Sequence, residues 1–271
     1  MRWKVKVPGS CGELVQGIYR GEPILITCPV KKFSTVEVSD EFFEVEGLGE
    51  KSLLMLEKML NFLQVERNFG IKLTSEIPKS KGMASSSADL AAVANAVAKF
   101  CGMRYLSSTK IAEFATEIEP TDGVFYQGIV AMNPVTGKFV KDVIGMLGRF
   151  TIAIFDYGGE IDTLKFNRRS DFEIENLPMI FDFDLVEKSA LANQKILYKP
   201  HLEDIINFAK NNAGAAGVNV AHSGTVIGIF FHKKSKHIDR KIKTIQKQFD
   251  FIKFLTKTEF IGGGCFSWRM Y

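Results

Sequence analysis

Residues 77–92 read IPKSKGMASSSADLAA, and no other stretch constrains this chain as strongly. Ala88, Leu90, Ala91, Ala92, Ala94, Ala96, Val97 and Ala98 predict a helix running through Lys99, because alanine and leucine are strong helix formers. Ser85, Ser86 or Ser87 supplies its N-cap in this reading, accepting a hydrogen bond from one of the first backbone N–H groups. One serine is enough for a cap, so the other two and Gly82 need a different reason. A glycine-rich turn feeding a helix amino terminus leaves N–H groups pointing outward at the positive end of the helix dipole, which suits a phosphate. The competing reading is a flexible loop before an ordinary capped helix. A Walker A loop is excluded, since GKS and GKT are absent.

The chain around this stretch is long enough for one large domain or two modest ones, with 271 residues of which 46% are hydrophobic. Its formal charge of +4 is mild and spread along the sequence. The one basic cluster, Lys233 to Lys247 (KKSKHIDRKIKTIQK), reads as a solvated helix face, and nothing asks for nucleic acid. Cys11, Cys28, Cys101 and Cys265 stand far apart, without a CxxC pair or a neighbouring pair of histidines, so neither a zinc site nor a disulfide framework is expected. The amino terminus lacks an apolar signal region, and no run approaches the roughly 20 apolar residues that span a bilayer. A soluble cytoplasmic protein with reduced thiols, and no membrane partner, is the expectation.

Hydrophobic periodicity divides the chain into strands and helices. WKVKV alternates as a half-buried strand, PGSCGELVQG interrupts it, and PILITCPV, STVEVS, FFEVEG and IKLTSEI read as further strands. SLLMLEKMLNFLQV has helical spacing, and a helix over Ser108 to Ile118, capped by Ser107, Ser108 or Thr109, stops before Pro120. Thr151 to Phe155 begins a second lobe as an apolar strand. Residues 185–198 and 201–212 read as helices, GVNVAHSGTVIGIFF as a strand pair, then the basic helix and a closing FIKFLTKTEFIGGGC. Runs of strands followed by helices point to α+β, with an antiparallel sheet and helices on one side. A boundary near residue 150 separates residues 1–150 from 151–271.

The stretch PKSKGMASSSADLAA resembles the nucleotide-binding signature PxxxGLGSSAA of the GHMP kinases, with Met83 and Ala84 in place of Leu-Gly and Ser87 in place of the first alanine. PGSCGELVQG lies where those kinases carry a substrate-side motif, and GAAGVNVAHSGTVIGIF is similar to their third, glycine-rich motif. The three matches occur in the right order from Pro8 to Phe230. Within the superfamily, PGSCGELVQG, ITCPV, KGMASSSADLAA, EIEPTDG and VAHSGTVIG look like the L-threonine kinase branch. The resemblance implies a two-lobed GHMP kinase fold, with a ribosomal-protein-S5-like amino-terminal domain and a ferredoxin-like carboxyl-terminal domain. It also implies ATP and Mg²⁺ as cofactors and L-threonine as acceptor, with a role in cobalamin synthesis. Homoserine or another small alcohol is the alternative acceptor. A nucleic-acid module and a catalytically silent sensor are the readings from other classes, and neither explains Glu119 and Asp122 beside a serine-glycine loop.

Phosphoryl transfer to an alcohol needs a cradle for the triphosphate, a divalent cation, and a hydroxyl held in line with the γ-phosphorus. Lys81, Gly82, Met83, Ala84, Ser85, Ser86 and Ser87 form the expected cradle. The resemblance puts the metal-coordinating hydroxyl on Ser86. A hard cation also wants a carboxylate, and Glu119, at a helix end before Pro120, is the candidate, with Glu117 as the weaker alternative. Asp122 accepts or orients the acceptor's hydroxyl proton, although Asp-Gly is also an ordinary turn signal. Glu13 suits an α-ammonium group and Gln16 a carboxylate or hydroxyl, unless both merely decorate a hairpin turn. Lys31, Lys79 and Arg168 are the available partners for a substrate carboxylate, and Asp162 and Thr163 are further candidates for the substrate side. In the third motif, Ser223 and Gly224 are expected against the phosphates, while His222 reads as a structural hydrogen bonder.

Overall fold

The computed structural model describes residues 1–159 and 170–270; Asp162, Thr163 and Arg168 lie outside them. Val5 and Val7 are fully buried between half-exposed Lys4 and Lys6, the alternation expected of a strand packed on one face. The strand does not stop at PGSCGELVQG. It continues as β1 (Arg2–Tyr19) and pairs antiparallel along β2 (Glu22–Ser39), with register shifts at Pro8/Gly9, Ser10/Glu13 and Glu13/Val15. Bulges absorb the glycines and proline while the pairing resumes on either side, so the expected interruption becomes local distortion of one long hairpin. PILITCPV and STVEVS are likewise one strand.

After β3 (Val45–Glu46), only two residues of the expected FFEVEG strand, come α1 (Glu50–Leu63), β4 (Gly70–Ser75), α2 (Ser85–Phe100) and α3 (Ser108–Thr116). Ser107 caps α3, its hydroxyl accepting from the Lys110 N–H at 3.2 Å. Helix α2 is buried on nearly every side, packed against β1, β2 and α1. Its alanines permit that close approach, since an α-helix apolar all round belongs in a core. Two short strands without a clear periodic signal come next, β5 (Val130–Met132) and β6 (Phe139–Asp142).

Strand β7 (Phe150–Asp156) is buried on both faces: Ile152 and Ile154 enter one apolar cluster, Ala153 and Phe155 another. The first cluster contains α1, α2 and α3 together with Phe181, Phe230 and Phe260, so its packing crosses residue 150. The second is built on α5 (Leu202–Asn211) and α6 (Ile238–Gln248). Helix α4 (Phe183–Ala192) is shorter than the expected 185–198 helix and ends in a 3-10 turn at 193–195. In α6, Ile242 and Ile245 face inward while Arg240, Lys243 and Lys247 are exposed, the solvated basic face expected from the sequence.

Strands β8 (Gly217–Val220), β9 (Val226–His232), β10 (Lys253–Glu259) and β11 (Phe266–Met270) complete one eleven-stranded sheet, with the main order β10-β7-β9-β8-β1-β2-β4-β3. Its strand pairs are antiparallel except β3 with β4. The architecture is the expected α+β. The halves of the chain join where β11 pairs with β1 from Arg2/Met270 to Lys6/Phe266 and where β8 meets β1 at the registered pair Glu13 and Val220. No helix among the described residues is long and apolar enough to cross a membrane. Cys11, Cys28, Cys101 and Cys265 are all free.

Candidate active site

The expected serine cap is absent from α2. Its N-cap is Ala84, in the left-handed conformation at φ 56° and ψ 28°, and no side chain caps the helix. The serines are engaged elsewhere. Ser86 Oγ donates to Glu119 Oε1, and Ser87 Oγ accepts the Asp122 N–H at 3.0 Å and lies 3.3 Å from Asp122 Oδ2. The helix amino end thus keeps its outward N–H groups, while its hydroxyls hold two carboxylates beside them. Those carboxylates come from the segment just after α3. The Glu119 N–H donates to Ala115 O at 2.9 Å, and Pro120 prevents the helix from continuing. The Thr121 N–H donates to Pro134 O at 2.9 Å and the Gly123 N–H to Thr27 Oγ1 at 3.0 Å, so Asp122 is held on both sides.

Lys51 of α1 donates to Glu119 Oε2, a contact without a motif to announce it. Glu119 and Asp122 are 6% and 8% exposed, low enough for each charge to need the partners it has. Glu117, the alternative metal ligand, is instead exposed and paired with Lys58. Oxygen donors from Ser86 and Glu119 fit a hard divalent cation that takes its remaining ligands from phosphate and water. Among the described residues no group of three or more His, Cys, Asp or Glu side chains is clustered for metal binding.

The three glycine-rich segments touch one another. The Ser10 N–H donates to the Met83 carbonyl at 2.9 Å, joining the first to the second, while the Met83 side chain is buried in the core. Gly12, at φ +58°, lies against Ala221, where a Cβ would stand 2.5 Å from Ala221 Cα. Gly82 and Gly224 face each other across the second and third segments: a Cβ on Gly224 would come within 2.2 Å of the Lys81 carbonyl and 2.4 Å of Gly82 Cα. Only glycine allows backbone to approach so closely at both positions. Ser223 is buried at the same turn.

Lys81 pairs with Asp156 at 2.8 Å and donates to Gly159 O at 2.6 Å, tying the loop to the end of β7. Burial pushes the Asp156 carboxyl up, and the Lys81 ammonium with the Gly158 N–H outweighs it, leaving the pKa below the ordinary carboxylate value. Sequence reasoning missed Lys51 and Asp156, since a lysine in an amphipathic helix and an aspartate at a strand end carry no motif.

Glu13 and Gln16 are buried rather than displayed on a hairpin turn. Glu13 Oε2 accepts the His222 N–H at 2.7 Å and meets His222 Nδ1 at 3.2 Å, so His222 is a structural hydrogen bonder as expected. Lys31 is an exposed partner of Glu259, and Lys79 is exposed. The structure therefore gathers the expected cradle with Glu119 and Asp122, and places Glu13 where β8 meets β1.

Residues 50–128 match the family described as the GHMP kinases N terminal domain. The L-threonine kinase of Citrobacter freundii is 28% identical over 254 residues, covering 86% of this chain and 87% of that protein. Among solved structures, the homoserine kinase of Cytophaga hutchinsonii superposes with a TM-score of 0.61 at 18% identity, covering 98% of this chain and 97% of that one. A structure of MDDEF in complex with MVAPP, AMPPCP and magnesium gives a TM-score of 0.64 at 13% identity, covering 100% of this chain and 99% of that one.

Proposed function

We propose that this chain is a GHMP kinase that transfers the γ-phosphoryl group of ATP to the side-chain hydroxyl of L-threonine, a reading supported by the match of residues 50–128 to the GHMP kinases N terminal domain and by the fold it shares with homoserine kinase. The products are L-threonine O-3-phosphate and ADP, with cobalamin biosynthesis as the destination of the phosphoester. The observation that carries the reading is the pairing of Ser86 with Glu119 and Ser87 with Asp122 at the uncapped amino end of α2. Threonine as acceptor is supported by the similarity to the Citrobacter L-threonine kinase. We also read residues 1–150 and 151–271 as the two GHMP kinase domains.

Lys81 to Ser87 cradle the triphosphate in this proposal, with Ser223 and Gly224 closing over it from the third segment. Ser86 and Glu119 would hold a Mg²⁺ ion, which supplies neutralisation of charge on the β- and γ-phosphates. Lys51 fixes the other oxygen of Glu119 through a charge-assisted hydrogen bond and keeps the carboxylate aimed. Asp122, its N–H held by Ser87 Oγ and the preceding Thr121 N–H by the Pro134 carbonyl, orients the acceptor hydroxyl. As the hydroxyl oxygen bonds to the γ-phosphorus, the β–γ bridging bond breaks, ADP leaves, and the hydroxyl proton passes to Asp122. Gln16 receives the acceptor's carboxylate or hydroxyl, while Glu13, expected to take the ammonium group, has Oε2 engaged by His222 at the joint between β1 and β8.

The deciding assay measures ADP release from MgATP across L-threonine, D-threonine, L-serine, L-homoserine and mevalonate, with ³¹P NMR to identify the phosphoester. Selective conversion of L-threonine is expected. Turnover of a different alcohol alone keeps the kinase and removes threonine, and absence of acceptor-dependent turnover by folded protein sinks the proposal.

A further inference from the structure

A buried polar cluster away from the serine loop lies where β8 meets β1. Glu13, Ser189, Lys199 and His222 are 3%, 0%, 2% and 2% exposed. While Glu13 Oε2 binds the His222 N–H and faces Nδ1, ring Nε2 lies 3.1 Å from Ser189 Oγ. That hydroxyl is bonded to both the N–H and the carbonyl of Gln16, at 2.9 and 3.2 Å. Lys199 Nζ donates to the Ala221 carbonyl at 2.8 Å, and Asn193 Nδ2 to the His222 carbonyl at 3.4 Å. The order serine, histidine, glutamate is that of a hydrolase triad, yet a serine with no exposed surface meets no substrate.

Taking these charges out of water is expensive, and apolar side chains of similar volume would hold a simple turn at least as well. What the polar cluster adds is direction. Three of its bonds end on the backbone of residues 221 and 222, immediately before Ser223 and Gly224. Gly224 is packed on the Lys81 carbonyl, and the Thr225 N–H donates to that same carbonyl at 3.1 Å. Any displacement of residues 221–222 is therefore passed to the cradle through close-packed backbone.

We propose that His222 and Lys199 are positioning residues for nucleotide binding, which with Glu13 clamp the start of the 221–225 turn so that Ser223 and Gly224 meet the phosphates in one geometry. The clamp rests on the kinase reading above and adds two residues, on the β8–β9 turn and the segment before α5, that act through the turn and touch no phosphate themselves.

The test uses the full chain carrying His222→Leu, His222→Asn or Lys199→Met, each checked by circular dichroism for its fold. With MgATP and L-threonine, the KM for MgATP rises about tenfold in His222→Leu and Lys199→Met, while kcat and the acceptor KM stay within about threefold. His222→Asn keeps a side-chain donor toward Glu13 and recovers most of the affinity. A merely structural role lowers the active fraction, hence the apparent kcat, and leaves the KM in place; that result overturns the clamp, as does a change confined to the acceptor KM. If His222→Leu does not fold, His222→Asn and Lys199→Met carry the decision, with a small and a large rise expected respectively. Calorimetric titration with a non-hydrolysable MgATP analogue reads the same affinities without turnover. Protein that binds the analogue but phosphorylates no alcohol thus loses the kinase proposal while the variants still decide the clamp.

Discussion

Two clusters of serine, glutamate and lysine among the described residues have different consequences. Around the helix amino end, Ser86 and Lys51 hold Glu119, and the lysine side chain is 31% exposed. At the joint between β1 and β8, Ser189, His222 and Glu13 form a chain beside Lys199, and none of the four exceeds 3% exposure. Ser86 and Lys51 are part-exposed, so a cation or water can stand in for either as partner of the buried Glu119. In the second, removing one partner leaves a charge in low dielectric, a loss of about 3–5 kcal/mol. The same residue types leave partners exchangeable where solvent reaches them and make a fixed joint where it does not.

The sharpest way to break this contrast is at the exchangeable cluster. Asp122→Asn lowers kcat by about 10²- to 10⁴-fold, with a smaller change in the acceptor KM. A defect confined to the acceptor KM would leave Asp122 as an orienting group alone. Ser86→Ala and Glu119→Gln each reduce turnover by about 10²- to 10³-fold with the fold retained, because each withdraws an oxygen donor where charge develops. Near-normal turnover in both, measured across a Mg²⁺ titration, would remove the metal assignment.

The buried joint is tested by proton linkage. Burial lowers the Lys199 pKa from 10.5 to about 8, with Glu13 opposing the shift. The folded-state pKa lies below the unfolded one, so between these values the unfolded chain binds more protons. The penalty is therefore complete below pH 8 and is relieved as pH rises toward 10.5. Wild type gains about 2 kcal/mol relative to Lys199→Met between pH 7 and 9.5 in urea unfolding. Comparing with the variant is necessary, because the buried thiols of Cys11 and Cys28, whose pKa values burial raises, push stability the other way as pH climbs. A wild-type-minus-variant difference independent of pH refutes this account of Lys199.

The smallest effect is expected at Ala84. Left-handed backbone costs a non-glycine residue about 1–2 kcal/mol, and Ala84→Gly removes that strain while adding about 0.4–1 kcal/mol of unfolded-state entropy to be lost. The net gain stays within about 1 kcal/mol in thermal or urea unfolding. A loss of stability would mean that the methyl group is packed in a way the helix end needs.

Much of this was legible because it is local. The alanine run specified the carboxyl end of α2 to within a residue, the apolar stretch at 151–155 specified β7, and the order of three glycine-rich segments pointed to the expected cradle. Glu119 and Asp122 were recognisable beside Pro120 because a proline that stops a helix also restrains its neighbours. Where local signals competed with pairing, pairing won: glycines and a proline that looked like a break in β1 became bulges, because hydrogen bonds along an 18-residue partner strand outweighed them. Strands β5, β6 and β11 escaped notice, since short segments acquire strand character from the neighbour they pair with.

What the chain determined by itself was the set of elements, their α+β class and the residue types available to grip a phosphate, all of which come from periodicity and from the backbone freedom of glycine. Tertiary structure alone decided which serine met which carboxylate, and that Ala84 rather than a serine began the helix. It also brought Lys51, Asp156 and Lys199 to groups 68, 75 and 22 residues away in sequence. Such contacts leave no periodic trace, because a side chain's partner across a fold depends on packing distance and not on spacing along the chain.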